Sequence, residues 1–572
     1  MGRDHDIDCS PLFYKNLKMK ILHYYLIIIL LLASCTKDDK PAPNPNPKPP
    51  TDIRDDISQY DARQWDGVKR GDIFYQIFVR SFADSNGDGI GDLRGITAKL
   101  EYLHQLGIAG IWLTPIHPSP SYHGYDVDDY MSVKSEYGTI TDFDAMIAKA
   151  NSLGIKVILD LVINHTSKNH PWFLEAIKSE NNQFRDFFLF AKSTEIESSI
   201  ASGNIPMTNY YYSGHWHNVP SGTTDYKYMG MFSDWMPEIN YGLSDTCENS
   251  EPFKNMIEIS KFWLSKGVAG FRLDAVKHIY QNETSDENPI FLGKFFNALK
   301  REKDDLYMVG ENLSGNYKDV SPYYKGLPSM FNFDAWYKLI YVIENSHAKW
   351  FPKDIIEMES SFKANRSDAI NATKLSNHDE DRTLSRLGGD PAKAKIAAAV
   401  LLTISGSPYL YYGEEIGMLG MKTGGDENVR EPFLWDVLTS DNYRTTWRTP
   451  MYSTDNLVKP LEIQKKDLNS IYRVYEKFIK LRNTYPSLAQ GSISYPNSYF
   501  ETYEKNFMVF FREYQGEKLM VIHNVSPNIS TIAISEPINK PIADMGKVNY
   551  TKINSTTYSV TMPPYSTIIF EL

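Results

Sequence analysis

Two hydrophobic periods take turns along most of this chain. Apolar runs rich in β-branched and aromatic residues at 73–79, 108–113, 157–163, 269–273, 306–309, 330–333, 372–375 and 409–412 read as buried strands. Between most of them apolar residues recur at helical spacing, as over 96–106, 142–153, 252–265 and 391–404. Strands alternating with helices eight times predict an α/β protein with a parallel sheet, closed naturally as a (β/α)8 TIM barrel. An open doubly wound sheet is the alternative that periodicity alone leaves standing.

The alternation breaks twice. More than eighty residues separate the strand ending near Asn164 from the helix starting near Glu251, whereas such loops usually take about two to six. Residues 166–235 are polar and aromatic with little helical period, which predicts an inserted domain B after the third strand. Beyond an amphipathic helix over 468–485 the pattern shortens to alternating strands, as at 521–525 and 566–572, and predicts a C-terminal antiparallel β-sandwich. The expected organisation is a barrel in two parts, 56–165 and 237–488, the insertion 166–236 between them, and the sandwich over 489–572.

The N-terminus follows another logic. Ile21–Leu32 is an apolar run behind Lys15, Lys18 and Lys20, a signal-peptide core too short to cross a bilayer comfortably. Leu32-Ala33-Ser34-Cys35 resembles a bacterial lipobox, so residues 1–34 are expected to be removed and Cys35 lipidated. A start at Met19 would give a signal of more typical length. A plain secretory signal with an incidental cysteine is the alternative. The proline-rich linker within 35–55 is a semi-rigid spacer. Asp38-Asp39 resembles the signal that sends some Gram-negative lipoproteins to the outer face of the outer membrane; the periplasmic face is the other possibility. The rest of the composition excludes more than it identifies. A net charge of −11 argues against a nucleic-acid partner. Three cysteines (Cys9, Cys35, Cys247) make neither a disulfide framework nor a zinc site, and Cys247 reads as a packed thiol.

Candidate chemistry collects where a barrel puts its active site, at the carboxyl ends of strands. There stand Asn164-His165, Arg272 with Asp274, Lys277 and His278, then Glu311, then His378-Asp379. An acidic residue after a strand is often only a helix cap. Three carboxylates with histidines at one barrel mouth fit glycoside cleavage, in which one carboxylic acid protonates the leaving oxygen and a carboxylate attacks from the opposite face. Asp274 and Glu311 end neighbouring strands, as a retaining pair about 5–5.5 Å apart requires. Arg272 is expected to keep Asp274 ionised, and the pocket to keep Glu311 protonated.

These motifs, with Gly110-Ile-Trp-Leu-Thr-Pro115, Met236-Pro-Glu-Ile-Asn240 and Gly406 to Glu415, resemble in this order those of glycoside hydrolase family 13, the α-amylase family, from about residue 72 onward. The resemblance implies an enzyme with Asp274 as nucleophile, Glu311 as acid/base and Asp379 as a third carboxylate gripping sugar hydroxyls. It implies that His165 and His378 hydrogen-bond the same sugar, with Tyr125 stacking on it and His123 alongside. Asp84, Asn86, Asp88, the Ile90 carbonyl and Asp92 have the spacing of a calcium loop, and a similar structural Ca2+ loop follows the family's first strand. An Asp/Gly-rich turn is the bland alternative. A second oxygen set at Asn164, Glu238 and the His278 carbonyl departs from the commoner acidic pattern and stays open.

Fold alone does not name the substrate. Ala275 after the nucleophile and the Lys277-His278 pair resemble the α-1,4-specific members, and Tyr122-His123 replaces the Asp that closes the pocket in exo-acting ones. The resemblance therefore implies internal attack on α-1,4 bonds of starch and maltooligosaccharides. A neopullulanase or cyclomaltodextrin hydrolase, a maltooligosaccharide transglycosylase, an oligo-α-1,6-glucosidase and a non-catalytic glycan binder are the alternatives.

Overall fold

The structure, a computed structural model, describes residues 71–202, 215–220, 225–280, 284–496 and 503–572. The signal segment, Cys35 and the linker lie outside the described residues. In chain order the strands of the first region are β1 (Phe74–Ile77), β2 (Gly110–Leu113) and β3 (Lys156–Leu161); β4 (Phe190–Lys192), β5 (Trp216–Asn218) and β6 (Tyr226–Met229); then β7 (Gly270–Leu273), β8 (Tyr307–Gly310), β9 (Ser329–Phe331), β10 (Ile370–Lys374) and β11 (Ser407–Tyr411). Eight of them close a parallel barrel in the order β1-β11-β10-β9-β8-β7-β3-β2. Each coincides with an apolar run of the sequence, and the TIM-barrel expectation holds over the open sheet.

The strands close because both faces are apolar. Inside, Phe74, Trp112, Ile158, Tyr307, Phe331 and Tyr409 form part of one buried cluster. Phe74 stacks at 5.0 Å on Tyr307 and 4.7 Å on Tyr409, so rings from opposite sides of the barrel fill its axis. The strands approach closely at Gly270, where a Cβ would lie 1.7 Å from the Tyr307 carbonyl oxygen. Outside, helices present one apolar stripe and start at definite signals. Asp92 caps Leu93–Leu106, Thr139 and Asp142 form a capping box for Ile140–Ser152, and Ser250 caps Glu251–Ser265.

The inserted region is a three-stranded antiparallel sheet, β4-β6-β5, preceded by a short helix Pro171–Ala176. Bridges between His165 and Glu238 and between Phe188 and Ile239 tie it to the barrel mouth. The C-terminal region holds β12 (Ser492–Ser494), β13 (Phe507–Tyr514), β14 (Glu517–Asn524), β15 (Ser530–Ile534), β16 (Lys540–Met545), β17 (Asn549–Lys552), β18 (Tyr558–Met562) and β19 (Ser566–Glu571). They make a five-stranded sheet, β12-β13-β14-β19-β16, and a three-stranded one, β15-β18-β17, both antiparallel. Alternation along β13 and β14 decides what each face touches. Phe507, Val509, Phe511, Met520 and Ile522 join the core between the sheets, while Met508, Phe510, Leu519 and Val521 join the core of the barrel.

Candidate active site

A buried ionic cluster gathers at the end of β7. Arg272 is fully buried and its guanidinium lies over Trp112 and Tyr125, 5.0 and 5.7 Å from the ring centroids. Nη1 donates to Asp160 Oδ1 at 2.7 Å and to Asp274 Oδ1 at 2.5 Å. Nη2 lies 2.6 Å from Glu311 Oε1 as an ion pair, without hydrogen-bond alignment. Two nitrogens of one planar group thus contact Asp274 and Glu311 and keep the two carboxyls near each other. The backbone backs this up: Asp274 N donates to Leu161 O, Glu311 N to Leu273 O and Val276 N to Glu311 O. Directly after Asp274, Ala275 adopts φ +46°, a left-handed conformation that costs a non-glycine residue about 1–2 kcal/mol and turns the chain sharply at the mouth.

Arg272 therefore serves three carboxylates, where the sequence assigned it to Asp274 alone. Burial raises the pKa of both Asp274 and Glu311, and the Arg272 charge opposes it at both. The difference between them comes from elsewhere. Asp274 also accepts an Arg272 hydrogen bond, while the negative charge of Asp274 pushes Glu311 further up. Both contrasts favour ionisation at Asp274 over Glu311. Asp160, buried beneath them, is raised to about 7, by burial first, and accepts from Trp112 Nε1 at 3.1 Å and Tyr125 OH at 3.0 Å.

Asp379 comes from the end of β10. Burial alone would raise its pKa, but His378 and then Arg430 and Arg272 outweigh that and hold it well below the usual carboxylate range. Arg430 Nη2 donates to Asp379 Oδ1 at 2.8 Å, and His378 Nε2 lies 3.0 Å from Oδ2. On the far side of that ring, Gln76 Nε2 is 2.8 Å from His378 Nδ1. A donating amide there leaves the imidazole proton on Nε2, facing Asp379 and the Tyr125 hydroxyl. His165 and His278 are pushed down to about 4 and about 3 by burial and stand as neutral hydrogen-bonding groups.

All ten catalytic and sugar-contact candidates come together here. His123, Tyr125, His165, Asp274, Lys277, His278, Glu311 and Asp379 line one cleft of about 430 Å3, with Arg272 and His378 just beneath, a size suited to sugar units. The sequence reading missed Asp160, Gln76, Arg430 and Phe232. Asp160 had a signal, a charge inside an apolar strand, and so had Gln76. Arg430, in a long irregular loop, and Phe232, in the insertion, had none.

The predicted calcium loop stands apart from this cleft. Asp84 accepts from the N–H of Asn86, Gly87 and Gly89; Asp88 accepts from Ile90 N–H; Asp92 accepts from Ser85 and caps the following helix through Gly95 N–H. The donors are all oxygens on one turn, the hard-ligand chemistry Ca2+ takes. Among the described residues no group of three or more acidic, histidine or cysteine side chains is already placed to hold a metal ion, so an ion would have to rearrange the loop's carboxylates. At the other candidate set, Asn164 Nδ2 donates to Glu238 Oε2 at 2.7 Å, and burial raises Glu238 well above the usual range.

Known proteins match both regions of the chain. The α-amylase catalytic-domain description matches residues 76–491, and that of the α-amylase SusG C-terminal domain matches 507–569. The chain is 35% identical to α-amylase SusG of Bacteroides thetaiotaomicron, over 98% of this chain and 99% of that one. It is 30% identical to an oligo-1,6-glucosidase of Bacillus cereus, over 87% and 98%. The crystal structure of the α-amylase from H. orenii superposes with a TM-score of 0.77 at 35% identity, covering 88% of this chain and all of that one.

Proposed function

Since this chain belongs to the α-amylase family of glycoside hydrolases, we propose that it hydrolyses internal α-1,4-glucosidic bonds of starch and maltooligosaccharides with retention of configuration. The observation that carries this reading is the single guanidinium of Arg272 gripping Asp274 and Glu311 together, with Asp379 beside them in the cleft.

Asp379 and His378 hold the hydroxyls of the sugar being cut, and Tyr125 offers its ring beneath it. Glu311 gives its proton to the glycosidic oxygen as the Asp274 carboxylate attacks the anomeric carbon. The leaving chain departs past Lys277 and His278. Glu311, now ionised, takes a proton from water, whose oxygen displaces Asp274 and completes the second inversion. Ala275 leaves room beside the nucleophile, and at the other rim His123 stands near Arg430, whose charge is engaged by Asp379, Asp426 and the Tyr122 hydroxyl. His123 is not a carboxylate, and Asp426, the carboxylate at that rim, is paired with Arg430 and Lys422, which suits internal attack. The likeness to an oligo-1,6-glucosidase supports α-1,6 cleavage as the second reading. A product profile on starch, pullulan, isomaltose and cyclodextrin separates them. Rapid depolymerisation of starch with isomaltose untouched is expected; isomaltose hydrolysed first overturns the α-1,4 assignment.

Ca2+ in the 84–92 loop would brace the rim and take no part in bond cleavage. Chelation with EDTA is then expected to lower the apparent Tm by several degrees, with Ca2+ restoring it better than Mg2+. An Asp88→Ala variant whose Tm still responds fully to chelation would refute this site. The lipobox and spacer support an enzyme held by a lipid on the outer membrane, where it shortens polymers too large to import.

A further inference from the structure

Asp379 is held differently from the other two carboxylates. Asp274 and Glu311 donate their N–H groups to carbonyls of the neighbouring strands. β10, by contrast, ends at Lys374, and the Asp379 N–H donates within its own turn, to Asn377 Oδ1 at 2.8 Å. Behind that turn lies a buried carboxylate for which bond cleavage has no use. Glu414, in the short turn after β11, is 5% exposed. Its Oε2 accepts from Ser376 Oγ at 3.1 Å and from Thr383 Oγ1 at 3.3 Å, which flank His378-Asp379 in the chain. Its Oε1 accepts from the Tyr475 hydroxyl at 2.9 Å, on the helix Ile471–Thr484. The next residue, Glu415, accepts from the Tyr75 hydroxyl at 2.6 Å, beside the Gln76 that orients His378. Packing leaves this region incompletely filled: a cavity of about 10 Å3, room for one water molecule, adjoins Ser376, Thr383 and Glu414. The hydrogen bonds to Glu414 therefore fix what packing does not.

We propose that Glu414 is a positioning residue: by holding the chain on both sides of Asp379, it sets that carboxylate against the sugar being cut. Glu414 lies behind the cleft and acts through Asp379 without touching substrate. This rests on Asp379 being the carboxylate that grips the sugar. A buried carboxylate is expensive to keep unless its oxygens are satisfied, and here three hydroxyls from three separate elements satisfy it. A shift of about 1 Å in a positioned catalytic group costs on the order of 10^2 in rate, so a tether of this kind controls kcat from a distance.

The test measures kcat, KM and Tm of the whole enzyme, with fluoride release from α-maltotriosyl fluoride as the assay, because an activated leaving group keeps weak variants measurable. Glu414→Ala is expected to lower kcat by about 10^2-fold in the wild-type background. In an Asp379→Asn background the same replacement should cost less than about threefold, since the group it positions is already disabled. Glu414→Gln keeps an accepting oxygen and should return kcat to within about fivefold of wild type. Ser376→Ala combined with Thr383→Val removes the two hydroxyls and leaves Glu414 in place; it should show the same dependence on Asp379 and carries the test if Glu414→Ala does not fold. An equal loss in the two backgrounds, or a lowered Tm with kcat unchanged, overturns the positioning role and leaves Asp379 its part in catalysis. Undiminished kcat in Asp379→Asn itself overturns the reading of Asp379 and the positioning role with it.

Discussion

Asp274→Asn is expected to lower kcat on amylose by about 10^4-fold or more, with the circular-dichroism spectrum unchanged. The amide keeps the shape and an oxygen that accepts from Arg272, but no charged oxygen remains to bond to the anomeric carbon. Glu311→Gln is expected to lose about 10^2- to 10^4-fold on the same substrate. The two are told apart by a glycosyl fluoride, whose leaving group needs no proton: Glu311→Gln should recover formation of the glycosyl intermediate there, seen as a burst of fluoride, though water attack still lacks its base, and Asp274→Asn should recover nothing. The pH profile has a definite sign. Glu311 works protonated, and burial together with the Asp274 charge raises its pKa. Hydrolysis of starch therefore declines as pH rises through a value above the ordinary glutamate range, and that limb should vanish for Glu311→Gln acting on the fluoride. Amylose hydrolysis by Asp274→Asn at more than a hundredth of the wild-type rate would sink the assignment of the nucleophile.

The largest stability effect is expected at Arg272. Replacement by Met leaves Asp160, Asp274 and Glu311 buried without the cation that contacts all three. Removing one partner of a buried pair costs about 3–5 kcal/mol, and here one removal strands several groups at once. Scanning calorimetry should show a lower apparent Tm, with the deficit depending on pH. Without Arg272 the folded-state pKa values of these carboxyls rise further above their unfolded values. The variant is then closest to wild type below the unfolded pKa and loses ground as pH rises through the raised ones, a window that for Asp160 already reaches about 7 with the arginine present. Arg272→Lys restores a charge but not a fork, and should recover stability better than kcat. A pH-independent deficit would point to lost packing against Trp112 and Tyr125 instead.

What the sequence disclosed follows from what periodicity can carry. Strand positions were readable because most barrel strands carry apolar residues on both faces, so Val157–Leu159 or Phe271 cannot sit anywhere but inside. Asp274, Glu311 and Asp379 were readable because a barrel converts strand ends into neighbours. What escaped depends on long-range approach. Gln76 matters only because β1 closes against β11 and brings its amide to His378, 302 residues away. Arg430 reaches Asp379 from a loop with no repeating pattern. The even-handed grip of Arg272 was also invisible: a sequence shows that Arg272 and Asp274 share a strand face, but not that Asp160 and Glu311 arrive from β3 and β8 on either side.

The join between β1 and β11, Phe74 opposite Tyr409 through Gln76 opposite Tyr411, also fixes when this protein can become an enzyme. Arg482 locks that join by donating to the carbonyls of Gly71, Leu402, Ile404 and Gly406, drawing the entrance to the first strand and the entrance to the last onto one guanidinium. A growing chain owns neither the join nor its lock until most of its length has been synthesised. Partial chains consequently carry the Gln76 amide long before the His378 ring it orients, and the catalytic centre is completed only when the last strand closes on the first.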